Sequence, residues 1–222
     1  MQKTVKHKYG YYRCKGMKSI NCFMFSLIVL FFLSGCSTVT SLNPVGTNPL
    51  QIEKEDWEGV WCSGAEEEKG VFFIWVRDKD NGILRMGYVE EDKREKDLTL
   101  IKFDVQLRKG KSSVFGNILH KEIDKEKDIN ELLEKSYLWF MIMNVDGSII
   151  IYKPNAITFK ELVEEGKLKG ETVSSSKRYG SDIVLFEPTD KITEFIDSHD
   201  DSGKLFEWKS PWTFRRIVKG IP

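Results

Sequence analysis

Few side chains here have chemistry to offer, and most sit where a site is hard to build. Beyond the N-terminal segment the only histidines are His120 and His199. His199 lies in Asp197-Ser198-His199-Asp200-Asp201. Carboxylates beside an imidazole are metal-ligand types, but metal sites need ligands converging from packed elements. This run leads out of a helical pattern into a polar loop and reads as a solvated turn. His120 borders a charged stretch with no partner evident along the chain. Glu66-Glu67-Glu68 lacks the spaced ligands and the glycine of a calcium loop. Cys62, between Trp61 and Ser63, is either a reactive thiol or a small buried apolar residue. With no His, Asn or Asp pattern beside it, the second reading is preferred. Gly-x-Ser-x-Gly, phosphate-loop, His-Glu-x-x-His and paired-cysteine motifs are absent. No catalytic residue, metal or cofactor is indicated, and a noncatalytic domain is favoured over an enzyme.

Cys36 is different, because its surroundings are organised. Residues 1–18 carry six Lys or Arg and no acid. Residues 23–33 are apolar except for Ser26, and Leu33-Ser34-Gly35-Cys36 follows. A basic start, a short apolar run and small residues before a cut make a secretory signal. A membrane-spanning helix needs about 20 apolar residues, more than this run supplies. Met17 is a second candidate start, since it opens a shorter basic leader. Leu-Ser-Gly-Cys resembles the lipobox of bacterial lipoproteins. That resemblance implies a diacylglyceryl thioether on Cys36, cleavage between Gly35 and Cys36, and acylation (such as palmitate) of the new amino terminus. Two or more acyl chains hold a protein stably on a membrane, at about 0.8 kcal/mol per buried CH₂. Ser37 in place of Asp resembles an outer-membrane address, which implies a cell outer membrane lipoprotein facing the periplasm.

Removal of residues 1–35 changes the charge. The whole chain has 34 basic and 34 acidic residues, and the leader takes six basic ones. The mature chain then has 34 − 6 = 28 basic against 34 acidic residues, a net charge of −6. An acidic chain speaks against nucleic acid as a partner, since such binding rests on Lys and Arg neutralising phosphates. Cys14 and Cys22 leave with the leader and Cys36 carries lipid, so Cys62 is the one remaining thiol and no internal disulfide forms.

The rest of the chain reads as tether and domain. Residues 36–52 are the lipidated cysteine and a tether rich in Ser, Thr, Asn, Pro and Gly, with a reach of roughly 20 Å. Residues 53–222 form a single β-rich domain. A first strand begins at Trp57, and residues 71–76 and 83–89 flank a turn that ends in Asn81-Gly82. Residues 98–108 alternate, with Ile101, Phe103, Val105 and Leu107 on one face. Residues 113–119 pair back. Residues 137–145 are apolar on both faces and should be covered on both, and Asp146-Gly147 turns the chain into 148–152. Residues 121–135 are a charged excursion or short helix. Two helices are predicted, 155–165 capped by Asn155 and 189–198, and strand-like segments follow at 168–174, 183–186, 205–208 and 213–218. About ten short strands joined by tight turns predict a mainly β antiparallel meander, closed into a barrel or strongly curved, with two short helices.

All six tryptophans, Trp57, Trp61, Trp75, Trp139, Trp208 and Trp212, fall in this domain. They can fill a core, line an apolar cavity or pave a sugar-stacking surface. Gly59-Val60-Trp61 is similar to the Gly-x-Trp that opens lipocalin barrels, a family that includes bacterial outer-membrane lipoproteins. The resemblance implies an Arg from a late strand packed over that Trp, for which Arg215 and Arg216 are the candidates. It also implies a hydrophobic ligand inside the barrel. The family's Thr-Asp pair near a middle strand's end is not apparent, and the inserted helices depart from a plain meander. The sequence thus supports a membrane-anchored, noncatalytic binding or interaction domain. The alternatives are a lipocalin-like carrier of a small apolar ligand and a module that binds peptidoglycan or an envelope protein.

Overall fold

The computed structural model describes residues 37–63, 70–91, 98–123, 130–174, 181–199 and 203–219. Its strands are β1 (Val39–Ser41), β2 (Asn48–Pro49), β3 (Gly59–Ser63), β4 (Val71–Asp78), β5 (Ile83–Glu91), β6 (Leu98–Lys109), β7 (Val114–Leu119), β8 (Tyr137–Val145), β9 (Ser148–Tyr152), β10 (Gly170–Ser174), β11 (Ser181–Leu185) and β12 (Trp212–Lys219). Tight turns explain the meander. Asp146 and Gly147 take φ of 50° and 74°, the paired positive values of a type I′ turn, and place Val145 opposite Ser148. Strands β3 to β9 pair in sequence order, all antiparallel. β12 then inserts between β9 and β3 and closes an eight-stranded barrel.

Alternation along each strand fills the interior. Trp61, Phe72, Ile74, Leu84, Tyr88, Val105, Phe140, Ile149 and Phe214 point inward and are buried. Gly116 has no side chain because the Phe140 ring occupies that space. Helix α1 (Lys54–Trp57) covers one end of the barrel, with Trp57 in the core. α2 (His120–Ile123) follows β7, and its Ile123 packs on the same core. α3 (Glu131–Lys135) completes the β7–β8 connection, capped by the Asn130 side chain.

A second core lies outside the barrel. β8 sends Leu138, Phe140 and Ile142 inward and Trp139 and Met141 outward, which is why its sequence is apolar on both faces. The outward face is covered by the β9–β12 crossover. α4 (Ala156–Glu164) contributes Phe159, and α5 (Thr189–His199) contributes Ile192 and Ile196. The Asn155 side chain caps α4 through the amides of Ile157 and Thr158. Trp139 meets Phe115, Phe159 and Phe206 edge-on. β10, β11 and β1 extend the sheet from the edge of β8, with β1 parallel to β11.

Several expectations are corrected. The segment 37–52 is part of the domain and no tether. β1 is wedged between β8 and β11, and Val39, Thr40, Ser41, Val45 and Ile52 are buried. Its backbone is held by side chains far along the chain: Asn117 bonds both the amide and the carbonyl of Val45 (2.7 and 2.9 Å), and Thr193 accepts from Gly46 (2.9 Å). Trp57 ends a helix and does not begin a strand. Residues 205–208 form only a bridge from Phe206 to Pro154. Five short helices are present among the described residues, where two were expected. Glu66-Glu67-Glu68 and Asp200-Asp201 lie outside the described residues.

Candidate functional site

The α1 end of the barrel is the most organised place in the molecule. A four-residue helix is too short to persist alone, and its last carbonyls need partners. Each has one. Lys54 O accepts the Glu58 amide at 2.8 Å, and Glu55 O accepts Arg216 Nη1 at 2.6 Å. Asp56 O accepts Arg216 Nη2 and also Asn144 Nδ2 at 3.0 Å, while Trp57 O accepts the Trp61 indole at 3.0 Å. The guanidinium is therefore placed at the negative end of the helix, where a cation is stabilised.

The same guanidinium lies over the Trp61 ring, 4.6 Å from its centroid. Register decides which arginine does this: Arg216 is directly opposite Trp61, whereas Arg215 pairs with Cys62 and is exposed. Gly59, two residues before Trp61, has φ +151°, and a Cβ there would collide with the Val218 carbonyl. Gly59, Trp61 and Arg216 are thus one unit, formed where β12 pairs with β3.

This unit borders a cleft of about 800 Å³, within the roughly 300–1,000 Å³ typical of small-molecule sites. Its walls are segment 50–57, the β8–β9 hairpin, Val114 and the end of β12. The floor is apolar, from Leu50, Ile52, Trp57, Val114 and Ile142. The rim carries Glu53, Glu55, Asp56 and Asp146 against Arg216 and Lys219, a formal excess of two negative charges (four against two). Since the guanidinium already bonds carbonyls, the rim presents a larger acidic excess to an incoming ligand.

Behind the floor, the barrel interior is nearly full. The cavity among Phe72, Ile74, Met86, Phe140 and Phe214 measures about 20 Å³, room for a single water. Trp57 and Ile142 line both spaces and form the partition between them.

The tryptophans divide among different tasks. Trp57 and Trp61 build the barrel end, and Trp139 anchors the second core. Trp75 lies half-buried on the outer face of β4, next to Gly87. Trp212 packs against the barrel core with Lys153 Nζ 5.4 Å from its ring, and Trp208 is exposed beside Tyr152. The polar clusters do not converge. His199 stacks on Phe195 and its Nδ1 bonds the Phe195 carbonyl, while Asp197 accepts the Lys111 amide at 2.7 Å. His120 is buried at the start of α2, and Cys62 is half-buried on β3. Among the described residues, no three His, Cys, Asp or Glu side chains come together as metal ligands. The cleft itself escaped sequence reasoning, because its walls come from four distant segments. No known protein family, no characterised protein and no solved structure matches the chain.

Proposed function

We propose that this chain is a lipid-anchored envelope protein, held by Cys36, whose barrel is a noncatalytic binding domain with its ligand site in the cleft at the α1 end. The cleft carries the reading: it has the volume of a ligand site, an apolar floor and an acidic rim. Its chemistry suits an amphipathic ligand with an aliphatic or aromatic part over Trp57 and Ile142 and a cationic group toward Glu53, Asp56 and Asp146.

A paired-probe titration tests this. Octyltrimethylammonium should shift the NMR signals of the Trp57 indole and the Val114 methyls, and octylsulfonate should not. Equal shifts from both probes, or shifts centred elsewhere, would refute the site. The anchor is tested separately: Cys36→Ala should leave an unprocessed or unlipidated chain, and an unchanged mature size and membrane fraction would refute it.

The Arg216–Trp61 stack favours a second reading, a lipocalin-like carrier of an apolar molecule. That reading requires Trp57 to swing aside and join the cleft to the barrel interior. A crystal soaked with a fatty acid that shows no density behind Trp57 would exclude it.

A further inference from the structure

We infer that the anchored domain lies against the membrane on one side, with the end of the β8–β9 hairpin that the crossover leaves uncovered (Met143 and Val145) and the adjoining part of β12 in the lipid headgroup layer. The inference rests on the reading of Cys36 as the lipid-bearing residue. It starts from the absence of slack between that residue and the fold. The Thr38 amide and hydroxyl both bond Asp182 Oδ1, at 3.0 and 2.5 Å, and Val39 pairs with Ile183 in the sheet. Only Ser37 lies between Cys36 and Thr38, two steps and at most about 7 Å of extended chain. Whatever holds the lipid must lie that close to the start of β1.

The start of β1 is next to one face. β1 pairs with β8 only at Tyr137 and Leu138, and from Met141 onward β9 takes the same edge of β8. Thr38 therefore lies where β1 gives way to β9, which puts a lipid carried on Cys36 within short reach of that edge. Beyond the crossover, the outward face carries exposed and half-buried apolar residues beside the half-buried Ser148 and Thr213. Met143 (42 % exposed) pairs with Ile150 and Ile150 with Thr213, while Val145 is 44 % exposed. Tyr152, opposite Met141, packs on the second core with its ring centroid 4.6 Å from that of Trp208, the two rings tilted by 50°, and Trp208 is 36 % exposed. Arg215 is exposed in the row below, opposite Ser148. Apolar side chains with Trp and Tyr among them and a cation at the margin match the interfacial zone of a bilayer.

A comparable apolar row, Val71, Val89 and Leu100, runs across β4, β5 and β6. β5 is four strands from β9 in either direction round the barrel, so that row faces the opposite way. The position of Cys36 selects the first face over the second.

The test uses the lipidated chain carrying Cys62→Ser, purified in detergent and returned to phosphatidylethanolamine–phosphatidylglycerol vesicles. An environment-sensitive nitrobenzoxadiazole label is placed at Met143→Cys or Val145→Cys, and in a third protein at Val89→Cys. Lipids bearing a nitroxide near the headgroup should remove most of the fluorescence at 143 and 145, with a blue shift, and leave 89 at its lipid-free level. Equal quenching at all three positions, or quenching at 89 alone, in protein that co-floats with the vesicles would overturn the orientation. Protein that fails to co-float overturns the anchor reading instead. A blue shift at 143 without vesicles, in residues 36–222 produced without the leader and carrying Cys36→Ser, would show that a second copy covers this face, and would also overturn the inference.

Discussion

Arg216→Met is the perturbation that most directly probes how the barrel end is held. Methionine keeps an apolar stem over Trp61 but removes the guanidinium. The loss has two parts. The cation over the indole, at 4.6 Å in a partly exposed setting, contributes about 1 kcal/mol. The two hydrogen bonds to Glu55 O and Asp56 O are near solvent, and each contributes about 0.5–1 kcal/mol once water replaces it. The sum is about 2–3 kcal/mol, a sizeable part of the 5–15 kcal/mol that holds a typical domain. Urea unfolding of residues 36–222 produced without the leader and carrying Cys36→Ser measures it, and the thermal midpoint should fall by about 4–12 °C. A double-mutant cycle with Trp61→Phe should return a coupling near 1 kcal/mol. Loosening α1 should also expose Trp57 and raise acrylamide quenching. A loss below about 0.5 kcal/mol together with an additive cycle would refute the argument, because the guanidinium would then be a surface charge resting in place.

Three other changes test separate parts of the structure. Gly59→Ala forces a Cβ into the Val218 carbonyl at φ +151°, and should cost about 3 kcal/mol in urea unfolding; a neutral result would show that β12 can retreat. Asn117→Ala leaves the buried amide and carbonyl of Val45 unpaired, at about 2–4 kcal/mol, with faster hydrogen exchange at Val45; full protection there would mean that water fills the gap. Burial alone would raise the pKa of Asp104, but the hydrogen bonds and charges of Arg85 and Arg77 outweigh it and hold the carboxyl below its ordinary 3.8. A depressed folded value means that the stabilisation is present above the ordinary pKa and is lost as pH falls through the folded one. Asp104→Asn should therefore cost about 1 kcal/mol at pH 7, and the gap from the parent should close in unfolding curves taken below the ordinary value; a pH-independent gap would refute the ion-pair account.

The hairpins were legible because they are local. Asp146-Gly147 carries the chemistry of its turn, and the alternation of Ile101 to Leu107 carries its burial face. The apolar run of β8 announced that both faces would be covered, although not that one cover is the barrel core and the other a crossover. What was not legible is non-local. Segment 37–52 has the composition of a loop, and its order comes from Asn117, Thr193 and Asp182, 72 to 147 residues away. Scattered apolar residues at Val39, Leu42, Val45, Leu50 and Ile52 were the local sign of docking. Helix α1 is likewise too short for propensity to reveal, and is fixed by groups on β3, β8 and β12. The choice between Arg215 and Arg216 turned on β3–β12 register, which only the closed barrel defines.

On the proposed lipid anchor at Cys36, the docked segment makes the attitude of the domain a matter of chain length, and that can be separated from affinity. Thr38 is locked to Asp182 and the sheet begins at Val39, so residues inserted between Ser37 and Thr38 lie outside the fold. Twenty Gly and Ser residues there should leave urea stability unchanged within about 0.5 kcal/mol, as expected for an exposed insertion. They would also give the domain a reach of about 25 Å, at 5–6 Å times the square root of length. The face bearing Met143 and Val145 has a few exposed apolar side chains, and residues 36–222 carry 28 basic against 34 acidic residues, so this face alone should bind anionic vesicles weakly. With the linker, the protein should still co-float while nitroxide quenching at 143 drops toward the level at 89. Unchanged quenching would refute the claim that the short connection sets the orientation, and would show that the face holds the bilayer by its own affinity.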